Sequence, residues 1–80
     1  MDSDEAVREL TYGEKAVGIK FSPSGDETVD NIKSKYAEII DTLYLWKQSD
    51  NPEVVRLASV AITEAQTAQM WAVKALTFQK

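Results

Sequence analysis

The chain has 80 residues, carries a net charge of −4 at pH 7, and contains neither cysteine nor histidine. Its length limits it to one domain with a thin hydrophobic core, and the missing residue types argue against a disulfide, a zinc site or a histidine catalyst. The negative charge disfavours duplex nucleic acid as a partner, and no apolar run is long enough for a signal peptide or a membrane span. We therefore expect one cytoplasmic domain, residues 1–80, that needs no metal or other cofactor.

The first quarter of the chain predicts short helical pieces followed by a loop. Residues 1–9 are polar and acidic, and we expect them to fray. Thr11 and Glu14 have the spacing of a capping box, and Gly18 would end the short helix that they begin. Residues 19–25 alternate apolar and polar side chains before a proline and a glycine, which predicts an extended segment and a tight turn.

A long helix is predicted next, over residues 26–46. Ser24 and Glu27 have the spacing of another capping box at its start. Its apolar residues recur three and four apart, the period of left-handed helix packing. The predicted seam consists of Val29, Ile32, Tyr36, Ile39, Leu43 and Trp46. The predicted solvent side carries Lys33, Lys35, Glu38 and Asp41.

The longest helical pattern covers residues 52–78. Asn51 can cap a helix whose first residue is Pro52, and Asp50 with Glu53 is an alternative capping box. Alanines at positions 58, 61, 65, 68, 72 and 75 form a stripe that a second backbone could approach closely. Larger apolar residues extend this surface beyond what one partner helix covers. They are Leu57, Val60, Ile62, Trp71, Val73, Leu76 and Phe78.

The polar link at residues 47–51 is too short for anything but an antiparallel turn between the two long helices. The expected fold is therefore all-α, with a short N-terminal helix and loop packed on a long antiparallel helical hairpin. Because the last helix has surplus apolar surface, we expect the chain to assemble into a compact homo-oligomer.

Residues 10–25 contain the first candidate binding site. Its side chains are Tyr12, Lys15, Lys20, Phe21, Ser22 and Ser24. Aromatic faces, cations, hydroxyls and helix-start N–H groups together suit a nucleotide. The alternative is that Tyr12 and Phe21 only pack this segment onto the hairpin while the lysines are exposed.

A second candidate site is an unusually polar set on the last helix. Its members are Arg56, Ser59, Thr63, Glu64, Gln66, Thr67 and Gln69. Threonine and glutamine at this density are uncommon inside a helix. They indicate either a pocket on a symmetry axis, or a polar outer face with hydrogen bonds between helices.

No catalytic constellation stands out in the sequence. It lacks a phosphate-binding P-loop, a dinucleotide-binding glycine pattern and an HExxH motif. Carboxylates are numerous, but on surface helices they usually serve as solvated charges. We therefore do not expect an enzyme.

Two stretches resemble a known family. Residues 10–26, LTYGEKAVGIKFSPSGD, and residues 56–75, RLASVAITEAQTAQMWAVKA, closely resemble the phage anti-CBASS cyclic-nucleotide sponges. These share a helical-hairpin domain with the Thoeris anti-defence sponges, and the resemblance extends over about residues 10–78. It implies a phage protein that sequesters the cyclic oligonucleotide signal of the infected bacterium in its cytoplasm, without cleavage, so that the CBASS effector is not activated.

The resemblance also implies roles for both candidate sites. Residues 12–15 and 20–24 would sandwich the bases of a cyclic dinucleotide such as 3′,3′-cyclic GMP-AMP and contact its phosphates. Arg56 and residues 59–63, including Ser59 and Thr63, would form a separate pocket for cyclic trinucleotides. Such pockets would lie between the protomers of a homohexamer. The rival interpretations are a structural helical oligomerisation module without a ligand and, third, a phosphodiesterase.

Overall fold

The structure, a computed structural model, describes residues 9–19 and 27–78. These residues form three helices: α1 (Tyr12–Val17), α2 (Glu27–Trp46) and α3 (Pro52–Thr77). Within the two described ranges there is no strand, which confirms the all-α prediction for them. No helix in this part of the chain is long and apolar enough to cross a membrane.

Helix α1 has the predicted signals at both ends. The Thr11 hydroxyl accepts from the Glu14 N–H at 3.0 Å, and the Glu14 carboxylate accepts from the Thr11 N–H at 2.9 Å. At the other end Gly18 adopts a left-handed conformation with φ 71°. Its N–H donates to the Lys15 carbonyl, and the Ile19 N–H donates to the Glu14 carbonyl, so two of the carbonyls left unpaired at the helix end are satisfied. The capping box and the glycine stop are therefore confirmed.

The bounds of α2 agree with the prediction to within one residue, since the helix begins at Glu27. Ser24, the other half of the capping box proposed there, lies outside the described residues. After α2, the N–H groups of residues 47–49 donate to carbonyls three positions earlier, each at 3.1 Å. This tightening of the last turn ends the helix before the connector.

Asn51 caps α3. Its side-chain oxygen accepts from the Glu53 N–H at 2.9 Å, and Pro52 occupies the first helical position. The structure thus decides in favour of Asn51 over the alternative cap at Asp50. The helix ends at Thr77, one residue before the predicted end.

Helices α2 and α3 form the predicted hairpin. Leu43 and Trp46, near the end of α2, line one groove together with Val54 and Ala58, near the start of α3, so the two helices run antiparallel. Helix α1 packs mainly on α2 and makes a smaller contact with α3. The central helix α2 therefore supports both of the others.

The core lies where all three helices meet. It consists of Val17 from α1, Ala37 and Ile40 from α2, and Ile62 from α3. Ile40 has no exposed surface, and the other three are at most 5% exposed. All four are aliphatic, so the hydrophobic effect drives their contact.

The predicted seam of α2 is wrong at two positions. Ile39 is 50% exposed and Trp46 is 59% exposed, whereas the neighbouring Ile40 is fully buried. Both Ile39 and Ile40 satisfy the spacing from Tyr36 and Leu43, so periodicity alone could not choose between them. The choice is made by α1, because α2 must turn its buried face between two partners.

The alanine stripe of α3 is also not one seam. Ala58 is buried and Ala65 packs against the core, but Ala68 and Ala75 are exposed. Instead α3 has a second, exposed apolar side, which we call the outer apolar face. It consists of Leu57, Val60, Ala68, Trp71 and Phe78, all exposed in the single chain. Apolar exposure on this scale marks an interaction surface more often than a solvated one.

Candidate functional site

Tyr12, the first residue of α1, packs on the hairpin. Its ring stacks on the ring of Tyr44 in α2, with centroids 4.2 Å apart and planes 12° from parallel. Tyr12 nevertheless keeps 41% of its surface exposed. The packing role that the sequence left open is therefore real, and it leaves part of the side chain accessible to a ligand.

The neighbouring residue ties the backbone of α1 to α2. The Gly13 N–H donates to Asp41 Oδ1 at 2.6 Å. Gly13 is buried, and a Cβ at this position would collide with the backbone carbonyl of Ala37. Asp41 is half-buried, so its predicted place on the solvent side of α2 is wrong. A carboxylate that accepts from a backbone N–H forms a strong, charge-assisted hydrogen bond.

Only part of the first candidate site falls in the described ranges. Lys15 is exposed on α1, three positions after Tyr12, so one short helix carries both an aromatic face and a cation. The other four predicted members lie outside the described residues: Lys20, Phe21, Ser22 and Ser24. The structure therefore places Tyr12 and Lys15 on the same short helix, and the binding role of all six residues stays a prediction.

The second candidate site is a helical stripe. Arg56, Ser59 and Thr63 are spaced three and four apart on α3, so they share one side of it. Arg56 pairs with Glu53 one turn away, with nitrogen to oxygen distances of 3.1 and 2.7 Å. The Ser59 hydroxyl donates to the Val55 carbonyl at 2.8 Å. Thr63 is exposed. In this state the arginine and serine have partners on their own helix.

The Glu53–Arg56 pair perturbs both groups. The hydrogen bond from Arg56 holds the pKa of the Glu53 carboxyl below its usual value and raises the pKa of the guanidinium. A lowered carboxyl pKa means that the pair stabilises the fold at neutral pH and stops doing so as the pH falls through that pKa. Because both side chains are about 60% exposed, water screens the pair and its contribution is small.

Two glutamines of the polar set point inward. Gln69 is only 5% exposed, and the Gln66 amide lies 3.5 Å from the Ala16 carbonyl of α1. A purely polar outer face is therefore the wrong description for these two residues. Thr67, by contrast, is exposed and donates to the Thr63 carbonyl at 3.1 Å. The set thus divides between the helix interface and the surface.

One groove on the described surface does not suit a nucleotide. It lies beside the connector, has a volume of about 330 Å³, and is lined only by apolar side chains. They are Leu43, Trp46, Val54, Leu57, Ala58 and Ala61. A phosphate needs cations or several N–H donors, and these side chains supply no cation and a single N–H, that of the Trp46 indole. Since Leu57 also belongs to the outer apolar face, the groove fits an apolar partner.

Sequence reasoning missed Tyr44 and Asp41, the residues that hold α1 in place. The contact of Asp41 with α1 could have been suspected, because a glycine within a helical pattern, here Gly13, often marks close approach of another backbone. Nothing in the sequence pointed to the stack of Tyr12 on Tyr44, which depends on tertiary docking. Within the described ranges, no group of acidic residues is placed to hold a metal ion.

Comparison with known proteins gives one informative match. Searches of curated proteins and of solved structures found no significant match. Residues 14–77, however, match the family model for the Acb2/Tad1 hairpin domain. The match covers α2, α3 and most of α1, and it begins two residues after Tyr12. The chain therefore belongs to the Acb2/Tad1 hairpin family, the phage anti-defence sponges that bind cyclic oligonucleotides.

Proposed function

We propose that the protein is a sponge for cyclic dinucleotides such as 3′,3′-cyclic GMP-AMP, made by a phage and active in the cytoplasm of the infected bacterium. It holds the signal without cleaving it, so that the CBASS effector is not activated. The observation that carries this proposal is the family match together with Tyr12 and Lys15 on a helix docked against the matched hairpin.

The expected contacts follow from the chemistry of the ligand. The exposed part of Tyr12 offers a face for a base, since bases stack on aromatic rings whatever their identity. The exposed cation of Lys15 lies within a turn of it and meets a phosphate. Lys20 and Phe21 add a second cation and a second ring, and the hydroxyls of Ser22 and Ser24 complete the phosphate contacts.

Binding without cleavage rests on the general sponge role of the family and on the composition of the chain. The sequence has no histidine to serve as a base near neutral pH and no cysteine nucleophile. Among the described carboxylates, Asp41 and Glu14 accept from backbone N–H groups, and Glu53 pairs with Arg56. A net charge of −4 also makes a small anionic ligand a better partner than a duplex.

The functional unit is a homo-oligomer, which we propose to be a hexamer. Support comes from the outer apolar face of α3, which no other part of the described chain covers. Burying several exposed aromatic and aliphatic side chains between protomers supplies the core that 80 residues alone lack. Ala68→Glu tests this, because it puts a charge on that face without touching the core. Ala65, another alanine of the stripe, is not suitable for this test, because it packs within the chain and its replacement would disturb the fold itself.

We further propose that Arg56, Ser59 and Thr63 form a second pocket, for cyclic trinucleotides. The stripe borders the outer apolar face, so it lies near the proposed protomer contact. Arg56 would exchange its exposed partner Glu53 for a phosphate, at small cost because the existing pair is solvated. Weakened binding of cyclic tri-adenylate to Arg56→Ala, with unchanged binding of 3′,3′-cyclic GMP-AMP, is the expected result.

The main test measures ligand binding by titration calorimetry, followed by heating of the complex and chromatography of the released nucleotide. We expect one saturable site class for 3′,3′-cyclic GMP-AMP and release of intact ligand. Linear product after heating would instead identify a phosphodiesterase. No heat of binding and no thermal stabilisation would favour a ligand-free oligomerisation module.

Two variants separate the expected contacts. Tyr12→Ala should weaken binding by about 1–3 kcal/mol, because it removes a stacking face. Lys15→Ala should also weaken binding, and the loss of affinity should become smaller as salt is raised, because salt already screens the phosphate contact in the wild-type protein. Lys35→Ala is the matched control, since Lys35 is an exposed lysine on α2 rather than α1. Equal losses for Lys15→Ala and Lys35→Ala would mean that the protein only attracts anions through its general field.

A further inference from the structure

The Tyr12 side chain, which we expect to stack on a base, itself stacks on a second aromatic ring of the protein. Tyr44 covers one face of the Tyr12 ring at a centroid distance of 4.2 Å, in a nearly parallel arrangement. Tyr44 is 38% exposed, so this is a surface stack and not part of the core. A free tyrosine at the first position of a six-residue helix would sample several rotamers, and the stack removes that freedom.

A second contact fixes the helix that carries Tyr12. The hydrogen bond from the Gly13 N–H to Asp41 Oδ1, at 2.6 Å, holds the backbone next to the stacked ring. The absence of a Cβ on Gly13 lets the backbone of α1 reach the Ala37 carbonyl. Asp41 and Tyr44 are three positions apart, so one side of α2 supplies both contacts. The Tyr12 ring and the Gly13 backbone are thus both held by a single turn of α2.

We propose that Tyr44 and Asp41 are positioning residues for the ligand: they preset the Tyr12 ring so that a base stacks on its open face. This inference rests on the proposed function. In the complex the order would be base, Tyr12, Tyr44, with only Tyr12 touching the ligand. A ring ordered before binding costs less entropy when the ligand arrives, so loss of Tyr44 or Asp41 weakens binding without removing any ligand contact.

The test is a double-mutant cycle on affinity for 3′,3′-cyclic GMP-AMP. We expect Tyr44→Ala to weaken binding about 2- to 12-fold, the range that corresponds to the energy of one aromatic pair, and Tyr44→Phe to retain it. In a Tyr12→Ala background, Tyr44→Ala should cause no further loss, because Tyr44 acts only through Tyr12. Asp41→Ala should weaken binding, whereas Asp41→Asn keeps an acceptor oxygen for Gly13 and should retain most of it.

Further measurements separate positioning from a general structural role. Ala58→Gly serves as the control, because Ala58 is buried in the hairpin but does not belong to the cluster that contains Val17 of α1, so the variant should leave affinity unchanged. An equal loss of affinity in Ala58→Gly would overturn the inference, as would an undiminished Tyr44→Ala effect in the Tyr12→Ala background. If the wild-type protein binds and Tyr44→Ala binds as tightly, the inference fails while the proposed function stands. If the wild-type protein does not bind the ligand, both the inference and the proposed function are refuted.

Discussion

Replacing Gly13 with alanine tests the docking of α1, because helix propensity and packing predict opposite signs. Gly13 lies inside α1, where alanine is favoured over glycine by about 1 kcal/mol. The added Cβ, however, would occupy the space of the Ala37 carbonyl and come within 2.9 Å of Asp41 Oδ1. The first of these is backbone and cannot rotate away, so α1 must shift.

The size of the effect follows from what the shift disrupts. Overpacking costs about 1–3 kcal/mol, and loss of a hydrogen bond to a charged group costs about 1.5–3 kcal/mol. The two costs do not add fully, because a shift of α1 that relieves the overpacking also lengthens the hydrogen bond. We therefore expect the free energy of unfolding to fall by roughly 3 kcal/mol from both costs together and to rise by about 1 kcal/mol from helix propensity, a net loss of about 2 kcal/mol. For a domain of this size, that lowers Tm by about 8–16 °C.

The assay is thermal unfolding without ligand at one fixed protein concentration, since association makes Tm depend on concentration. Ser34→Ala is the matched control: it adds helix propensity at an exposed position of α2 and should raise Tm slightly. Gly18→Ala gives a second comparison, because no atom lies within 4 Å of its Cβ and only the left-handed backbone is strained. An increase in Tm for Gly13→Ala, comparable to that of Ser34→Ala, would refute the close approach of α1 to α2.

Three further substitutions test the fold against exposed or alternative positions. Ile40→Ala should cost about 2–5 kcal/mol of unfolding free energy in urea, whereas Ile39→Ala should cost far less; equal losses would contradict the placement of the core. Asn51→Ala should cost about 1 kcal/mol by removing the cap of α3, and Asp50→Ala should change little; the reverse order would favour the other capping box. Arg56→Ala should leave ligand-free Tm nearly unchanged at neutral pH, because its ion pair is solvated; a large fall would mean that the arginine has a buried role.

The parts of the fold that the sequence predicted are those set by local hydrogen bonds. Thr11 with Glu14, and Asn51 with Pro52, mark helix starts because each cap acts within three residues of itself. The stop at Gly18 is equally local, since it depends on one left-handed residue. These signals are local, so the starts of α1 and α3 and the end of α1 were predictable.

The face of α2 that is buried could not be predicted in the same way. Ile39 and Ile40 are adjacent, and the spacing rule accepts either, so the buried one is decided by where α1 docks. The same docking moves Asp41 from the predicted solvent side to a hydrogen bond with α1. In the candidate site, Tyr12 was proposed as a ligand contact from its chemistry, and that role stays a prediction. Its partner Tyr44 lies 32 positions away and is brought close only by the fold.

The order of the helices, with α2 between α1 and α3, has a consequence for amide hydrogen exchange. Helix α1 packs mainly on α2, and its smaller contact with α3 involves Ala16 and Val17. Helix α1 can therefore open without separating α2 from α3, and its amides should exchange well before those at the hairpin contact. The Gly13 amide, whose proton is held by a carboxylate of another helix, should report this opening directly and exchange more slowly once a ligand holds α1 in place.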